Sequence, residues 1–348
     1  MERLQLGVAY HSNRIVRHVR DDMLALAEEG FDSVLHMFTH NDMERHRSVM
    51  ADIIALTQEQ GLEVWVDNWG LAGSPGDSSH FLSYQPDARQ IYNTGEPWRK
   101  MVCLNSPEFL AFTKEWIDMV YDCGGRKIFW DEPCLTARDK VNGVYRQWTC
   151  ACPRCRKLFA ERFGHAMPDE LTPEVEAFRR DTVLGYFSGA AGYAKEKGMV
   201  NTVCVMLGDS FGVDVDSIAG HPALDNVGTD PYWTGHGISG EDVYRFVYEA
   251  TRHNLELCSR YGKEHNVWLQ AFNIPAGREE EMFLAADAIY EAGARSIWTW
   301  GFRAGESNDY RCGRPDIAWK TVLDAMAHLR RRHREDTLVR CRGNLGGR

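Results

Sequence analysis

The strongest constraint on the fold is a unit that recurs from one end of the chain to the other: a short apolar run, an amphipathic stretch, a glycine, and then another apolar run. Strand-like runs lie at 4–10, 33–38, 63–68, 127–131, 202–207, 226–230, 267–272 and 296–300. Apolar residues recur at helical spacing over 19–29, 42–60, 107–121, 174–197, 241–261, 279–291 and 316–330. Gly30, Gly61, Gly124, Gly198 and Gly293 each stand between a helical pattern and the next strand. Glycine there supplies the left-handed conformation that ends a helix. A strand joined to the next through a helix crosses over right-handed and lies parallel to it. Eight such units predict an α/β fold of the (β/α)8 TIM-barrel type, a single domain over residues 1–348. No Gly-x-Gly-x-x-Gly follows the first strand, as a dinucleotide-binding sheet would require.

Two stretches break the rhythm, at about 71–106 after the third strand and 133–172 after the fourth. Both follow strand carboxyl ends, where barrel enzymes elaborate their sites. The second holds Cys150, Cys152 and Cys155 in a Cys-x-Cys-x-x-Cys run. Three thiolates at this spacing can close on one tetrahedral ion, with the fourth ligand from elsewhere. Cys103, just before Asn105-Ser106-Pro107 in the first insertion, is the first candidate and Cys134 the second. Four thiolates leave no open coordination position, so zinc there would be structural and would staple the two insertions together.

The ten cysteines accompany an N-terminus that enters a strand pattern at once, with no secretory leader. Reduced thiols and a cytoplasmic location are expected. No apolar run reaches the roughly 18 residues of a membrane span. The balance of 40 basic and 50 acidic residues, a net charge of −10, opposes general nucleic-acid binding. The arginine-rich run from Arg330 to the end reads as the solvated end of the last helix. Self-association into a homo-oligomer is left open.

The fourth strand ends in Trp130-Asp131-Glu132-Pro133. Where the chain begins to turn, both carboxylates can face the mouth of a barrel, and their repulsion would raise one pKa and suit it to general-acid work. The plainer alternative is an ion pair with Arg138 or Arg146. The third strand ends in Asp67-Asn68-Trp69, the sixth in Asp230-Pro231-Tyr232-Trp233, the seventh carries Gln270 and Asn273, and the eighth ends in Trp300-Gly301-Phe302-Arg303. Carboxylates, amides and tryptophans at one barrel face form a sugar-binding composition. Strand-end rings such as Trp69, Trp130, Trp233 and Trp300 suit stacking on sugars, against the ordinary use of Trp in packing.

At these residues the chain resembles the zinc-bearing β-galactosidases of glycoside hydrolase family 42, in the clan of (β/α)8 retaining glycosidases. Cys103-Leu104-Asn105-Ser106-Pro107 is similar to that family's Cys-x-Asn-Ser-Pro segment, and Cys150, Cys152 and Cys155 to its other zinc ligands. Glu132 falls where the family has its acid/base, and Thr229-Asp230-Pro231-Tyr232 is similar to its sixth-strand Asp-x-Tyr. Two departures stand out. Asp131 replaces an asparagine, and Gln270 stands where the nucleophilic glutamate is expected. An amide cannot form the glycosyl ester of the retaining route. The adjacent Asp131-Glu132 pair also resembles the substrate-assisted hexosaminidases of families 20 and 123, in which the substrate's acetamido group attacks. The resemblance therefore implies a glycoside hydrolase acting on a carbohydrate. Glu132 is its general acid, Asp131 and then Asp230 are candidates to orient the attacking group or, by an inverting route, to activate water opposite Glu132, and Asp67, Trp69, Trp130, Tyr232, Gln270, Trp300 and Arg303 contact the sugar. The alternatives are a catalytically silent sugar-binding barrel, or an isomerase or lyase using His11, His36 or a lysine as base with a second metal.

Overall fold

The computed structural model describes residues 3–11, 13–71, 79–131, 135–205 and 213–345, without the side chains of 99, 100 and 340–345. Its eight parallel strands are β1 (Gln5–Tyr10), β2 (Ser33–Met37), β3 (Glu63–Asp67), β4 (Lys127–Asp131), β5 (Val200–Val205), β6 (Asn226–Thr229), β7 (Glu264–Gln270) and β8 (Ser296–Trp300). They hydrogen-bond in the order β1-β8-β7-β6-β5-β4-β3-β2 and close into a barrel, as the sequence predicts. The boundaries of β5 move because Val200 already pairs with Lys127. By internal contacts the chain forms two compact units. One comprises Met1–His36, Ala55–Val64 and Val227–Arg348, and the other Met37–Ile54 and Trp65–Asn226.

In the first unit β1 pairs with β8 from Gln5↔Ser296 to Val8↔Thr299, joining the two ends of the chain. The interior of this ladder is filled by tryptophan. Trp268 and Trp298 lie with ring centroids 5.5 Å apart, and a Cβ at Gly7 would fall inside the Trp298 indole. Their polar edges are satisfied locally, Trp298 Nε1 donating to Ser296 Oγ (3.1 Å) and Trp268 Nε1 to Asn266 Oδ1 (2.9 Å). Below them Gln5 links Ser33, Glu63 and Ser296 by hydrogen bonds of 2.8 to 3.1 Å. The outer layer follows from helical periodicity. Helix Asp242–Tyr261 buries Val243, Val247, Thr251, Asn254, Leu257 and Cys258, one stripe of a 3.6-residue period, and stops at Gly262 with φ +64°. The last helix, expected to end near 330, runs through the arginine-rich segment as Pro315–Leu345. No proline interrupts that segment, and within it Arg330 pairs with Asp32 and Arg332 with Glu291.

In the second unit three helices start the same way: a residue in extended conformation whose side chain caps the helix, then proline. Ser106 caps Pro107–Asp122, Cys152 caps Pro153–Phe163, and Thr172 caps Pro173–Glu196. Proline at the first helical position lacks an N–H that would be orphaned there anyway. The two insertions carry structure of their own. The first holds the hairpin Arg89–Ile91/Pro97–Val102, and the second holds Ala137–Val141/Val144–Trp148 and the helix Pro153–Phe163. They bond to each other directly, Asn93 N to Trp148 O (2.9 Å) and Ala151 N to Ile91 O (2.8 Å).

Replacing Gly7 by alanine should therefore cost about 1–3 kcal/mol by overpacking against Trp298. Urea denaturation would read the loss, and adding Trp298→Phe should return part of it. A Gly7→Ala protein as stable as the parent would show that the indole has room to move.

Candidate functional site

Four cysteines, Cys103, Cys150, Cys152 and Cys155, bring their sulfurs within 4.8 Å of one another, and all four are buried. The Sγ–Sγ separations of 3.4 Å (Cys103 to Cys155) and 3.7 Å (Cys152 to Cys103) are far too long for a disulfide. A tetrahedron with metal–sulfur bonds of roughly 2.3 Å has edges of about 3.8 Å, so the cluster fits a bound metal ion. Cys155 N points at Cys152 Sγ (3.5 Å) and Asn105 Nδ2 at Cys155 Sγ (3.4 Å), donors that suit anionic sulfur. Hydrogen bonds from Cys103, then Cys150 and Cys155, hold the Cys152 thiol far below its usual range. Cys103, the first candidate for the fourth ligand, lies in the cluster. Cys134, the runner-up, lies outside the described residues, as does Glu132.

The loop that carries Cys150 is fixed from below by Arg179, a buried cation whose Nε donates to Thr149 O (2.7 Å) and whose terminal nitrogen donates to Leu135 O (2.8 Å). The carbonyls of a non-helical loop need partners once buried, and one guanidinium supplies several donors in a fixed fork. Arg138, one proposed partner for the fourth-strand carboxylates, instead pairs with Glu96 at 2.7 Å.

At the carboxyl ends of β3 and β4 stand Asp67 and Asp131. Asp67 pairs in register with Phe129, so strand alternation puts Asp131, two residues on, on the same face of the sheet and Trp130 on the other. Asp67 is wholly buried, and Asp131 is 9% exposed. Asp67 Oδ1 accepts from Trp69 N (2.9 Å), Oδ2 has no hydrogen-bond partner among the described residues, and Asn68 Oδ1 accepts from Asp131 N (3.0 Å). Burial, and secondarily the neighbouring charge of Asp131, push the Asp67 carboxyl well above the ordinary carboxylate range. Trp69 is half-buried beside them.

The ends of β6, β7 and β8, in the other unit, hold a second group. Asp230, Tyr232 and Trp300 are half-buried. Tyr232 packs edge-on against Phe272 at 4.9 Å, and His11 stacks on Trp300 at 5.7 Å. Asn308 Nδ2 donates to His11 Nε2 (3.1 Å), and burial followed by the nearby Arg14 lowers the His11 pKa to about 4.

Several sequence expectations are corrected by where the side chains go. Trp130 is fully buried on the outer face of β4, packed on Trp116 and Tyr186 with Nε1 donating to Asn201 Oδ1, so it cannot stack on a sugar. Trp233 is likewise buried and donates to Glu281 Oε2 on helix Glu280–Ala292. Gln270 is wholly buried, and its amide is spent on Thr234 and on Phe272 O (3.0 Å), which makes it a support for the loop after β6. Arg303 is exposed and turned to Asp22 and Glu306. His36 faces the helix layer, bonded to Thr57, with burial lowering its pKa to about 3. The strongest signal missed was Asp67. Its residue type suggests a contact, but its complete burial, with no cation paired to it among the described residues, is a property of packing. A cleft of about 530 Å³ lies elsewhere, between the turn Gly143–Tyr145 and Glu176, Arg180 and Asp214, and none of the predicted site residues lines it.

Arg179→Met should cost about 2–4 kcal/mol, since it strips charged donors from buried carbonyls. The same change should speed thiol labelling of Cys150 and Cys152. Unchanged labelling rates would mean that the cysteine loop is held without Arg179.

No family model and no curated protein matches this sequence. Solved structures match its fold. The catalytic domain of a beta-amylase from Paenibacillus polymyxa aligns with a TM-score of 0.64 at 9% identity, covering 92% of this chain and 98% of that one. An endo-beta-1,4-mannanase from Thermotoga petrophila aligns at 0.61 and 10% identity, covering 94% and 77%. GH5_18 from Streptomyces cattleya, solved in complex with GlcNAc, aligns at 0.59 and 14% identity, covering 94% and 81%. At identities this low what is shared is the fold, and that fold is a TIM barrel.

Proposed function

We propose that this single-domain barrel is a glycoside hydrolase, with Glu132 as general acid and Asp131 as the second or orienting carboxylate. The observation that carries the reading is the pair Asp67–Asp131 at the carboxyl ends of β3 and β4, with Trp69 beside it. Buried acids of this kind cost stability and recur where a proton must be moved. Within its own unit Trp69 offers a ring for a sugar; in the other unit Trp300 and Tyr232 offer a ring and a phenol, and Asp230 there is the second candidate to orient the attacking group. The names of the solved structures of like fold, a beta-amylase and an endo-mannanase among them, are in keeping with a carbohydrate substrate.

Glu132 would protonate the leaving oxygen. With Gln270 in place of a seventh-strand carboxylate, attack comes from water or from the substrate's own acetamido group, and Asp131 orients it. Gln270 and Arg303, expected as sugar contacts, serve in this reading through the loops they hold. One observation favours a second reading: the amide at Gln270 is what a sugar-binding barrel without catalysis would also show. We further infer that the ion of the cysteine cluster is zinc, because four thiolates at tetrahedral spacing are a closed, structural zinc set.

A panel of nitrophenyl glycosides that includes N-acetylhexosaminides should reveal turnover. On a substrate with a poor leaving group, Glu132→Gln should lower kcat by about 10²–10⁴-fold while sparing binding. Near wild-type turnover would remove Glu132 from the mechanism. A 2-fluoro glycoside should leave no covalent adduct by mass spectrometry; a stable adduct on a carboxylate would mean that an enzyme nucleophile exists after all. Elemental analysis of protein purified without chelator should give one zinc per chain, and finding no metal would sink the structural-zinc reading.

A further inference from the structure

Asp67 is buried more completely than its task as a sugar contact would need. Its side chain has no exposure, one oxygen is held by Trp69 N, and the other has no hydrogen-bond partner. Among the described residues no cation pairs with it. The charge that acts on it is that of Asp131, one rung further along the same sheet face. Asn68 fixes the spacing, because it follows Asp67 in the chain and its Oδ1 accepts from Asp131 N. Two carboxylates so placed, one of them wholly buried, cannot both ionise without strong mutual repulsion. Of the two, Asp131 retains some exposure, so the negative charge is better solvated there and the proton is better kept on Asp67.

We propose that Asp67 and Asp131 form an electrostatically coupled dyad that carries one proton in all, in which Asp67 keeps the proton and Asp131 is the base that takes one from the attacking water. The role given to Asp131 rests on the hydrolase reading above; the dyad itself does not. The oxygen of Asp67 that no described residue bonds then becomes a donor, which can hold the water in place as a carboxylate could not. As the water oxygen bonds to the anomeric carbon, Asp131 accepts its proton. The glycosidic C–O bond breaks, its electron pair stays on the leaving oxygen, and that oxygen takes the proton of Glu132. Asp131 ends protonated and Glu132 ionised, solvent exchange restores both, and the proton of Asp67 is not consumed. Asp67 is thus a positioning residue that acts through Asp131. A dyad of this kind explains why a barrel with an amide on β7 would need two acids side by side on β3 and β4.

The test uses the full chain labelled with aspartate carrying ¹³C at the side-chain carboxyl. Wild type should show one carboxyl still protonated at pH 7, and Asp67→Asn should lack it. Stability gives the same answer independently. The folded pKa of Asp67 is raised above its unfolded value, so its contribution is fully present below the unfolded pKa and is lost as pH rises through the folded one. Asp67→Asn removes that loss, so its melting temperature should gain on wild type between pH 5 and pH 8. On any glycoside that is turned over, Asp67→Ala should lower kcat by about 100-fold with KM little changed, and Asp67→Asn should recover most of it by restoring a neutral donor. A carboxyl at position 67 that titrates in the ordinary range overturns the dyad. So does tight calorimetric binding of Mg²⁺ or Ca²⁺ that Asp67→Asn abolishes, because an ion would then occupy the place given to the proton. Full kcat in Asp67→Ala removes it from catalysis. Wild type that shows the protonated carboxyl but turns over no glycoside sinks the hydrolase reading and leaves the dyad standing.

Discussion

The structure depends first on the pairing of its two ends. β1 and β8 stand far apart in the sequence, and the ladder from Gln5↔Ser296 to Val8↔Thr299 is what removes both open edges of a parallel sheet. An exposed edge would leave a row of unpaired N–H and C=O groups. The same ladder fixes the interior, because it lays Gly7 against Trp298 and leaves no alternative filling for that layer. Glycine at position 7 is required by space, since its φ is not positive. The hydrogen bonds of Gln5 to Ser33, Glu63 and Ser296 make the closure polar as well as apolar, which pins the register: a slip by one residue would break all three.

The insertions solve a different problem. Loops of this length bury backbone carbonyls that no sheet or helix satisfies. The structure answers with the fork of Arg179 and with a cluster of thiols whose members come from both insertions. Cys152 serves twice, because its sulfur caps the helix Pro153–Phe163 and also belongs to the cluster. The start of a helix and a metal-binding geometry therefore meet at one residue.

Much of this was legible in the sequence because it is periodic. Strand, helix and glycine recur, and eight repeats leave few topologies to choose among. The cysteine spacing was legible for a similar reason, since it is local and chemically narrow. Side-chain direction at the ends of strands was not. Asp131 and Trp130 are neighbours, and alternation sends them to opposite faces; the expectation that strand-end tryptophans line a pocket holds for neither Trp130 nor Trp233. Arg303 shows the same limit, because the chain takes φ +47° there and its guanidinium turns to Asp22. Composition cannot foresee a change of direction set by one dihedral.

Burial separates Asp67 and Gln270 in a way that their residue types do not. In sequence, an amide where a carboxylate is expected looks like the exceptional residue, and an aspartate at a strand end looks ordinary. In the fold, Gln270 is satisfied by Thr234 and Phe272 and carries no strain, whereas Asp67 is an acid held in the dark with one oxygen unmatched. Stability alone would favour asparagine or a small apolar residue at position 67, because either avoids the cost of burying an acid. Sites where a chain breaks the rules of its own packing are the sites where function is to be sought. By that criterion the ends of β3 and β4 are where chemistry is to be sought, and Gln270 on β7 is accounted for by the loop it holds.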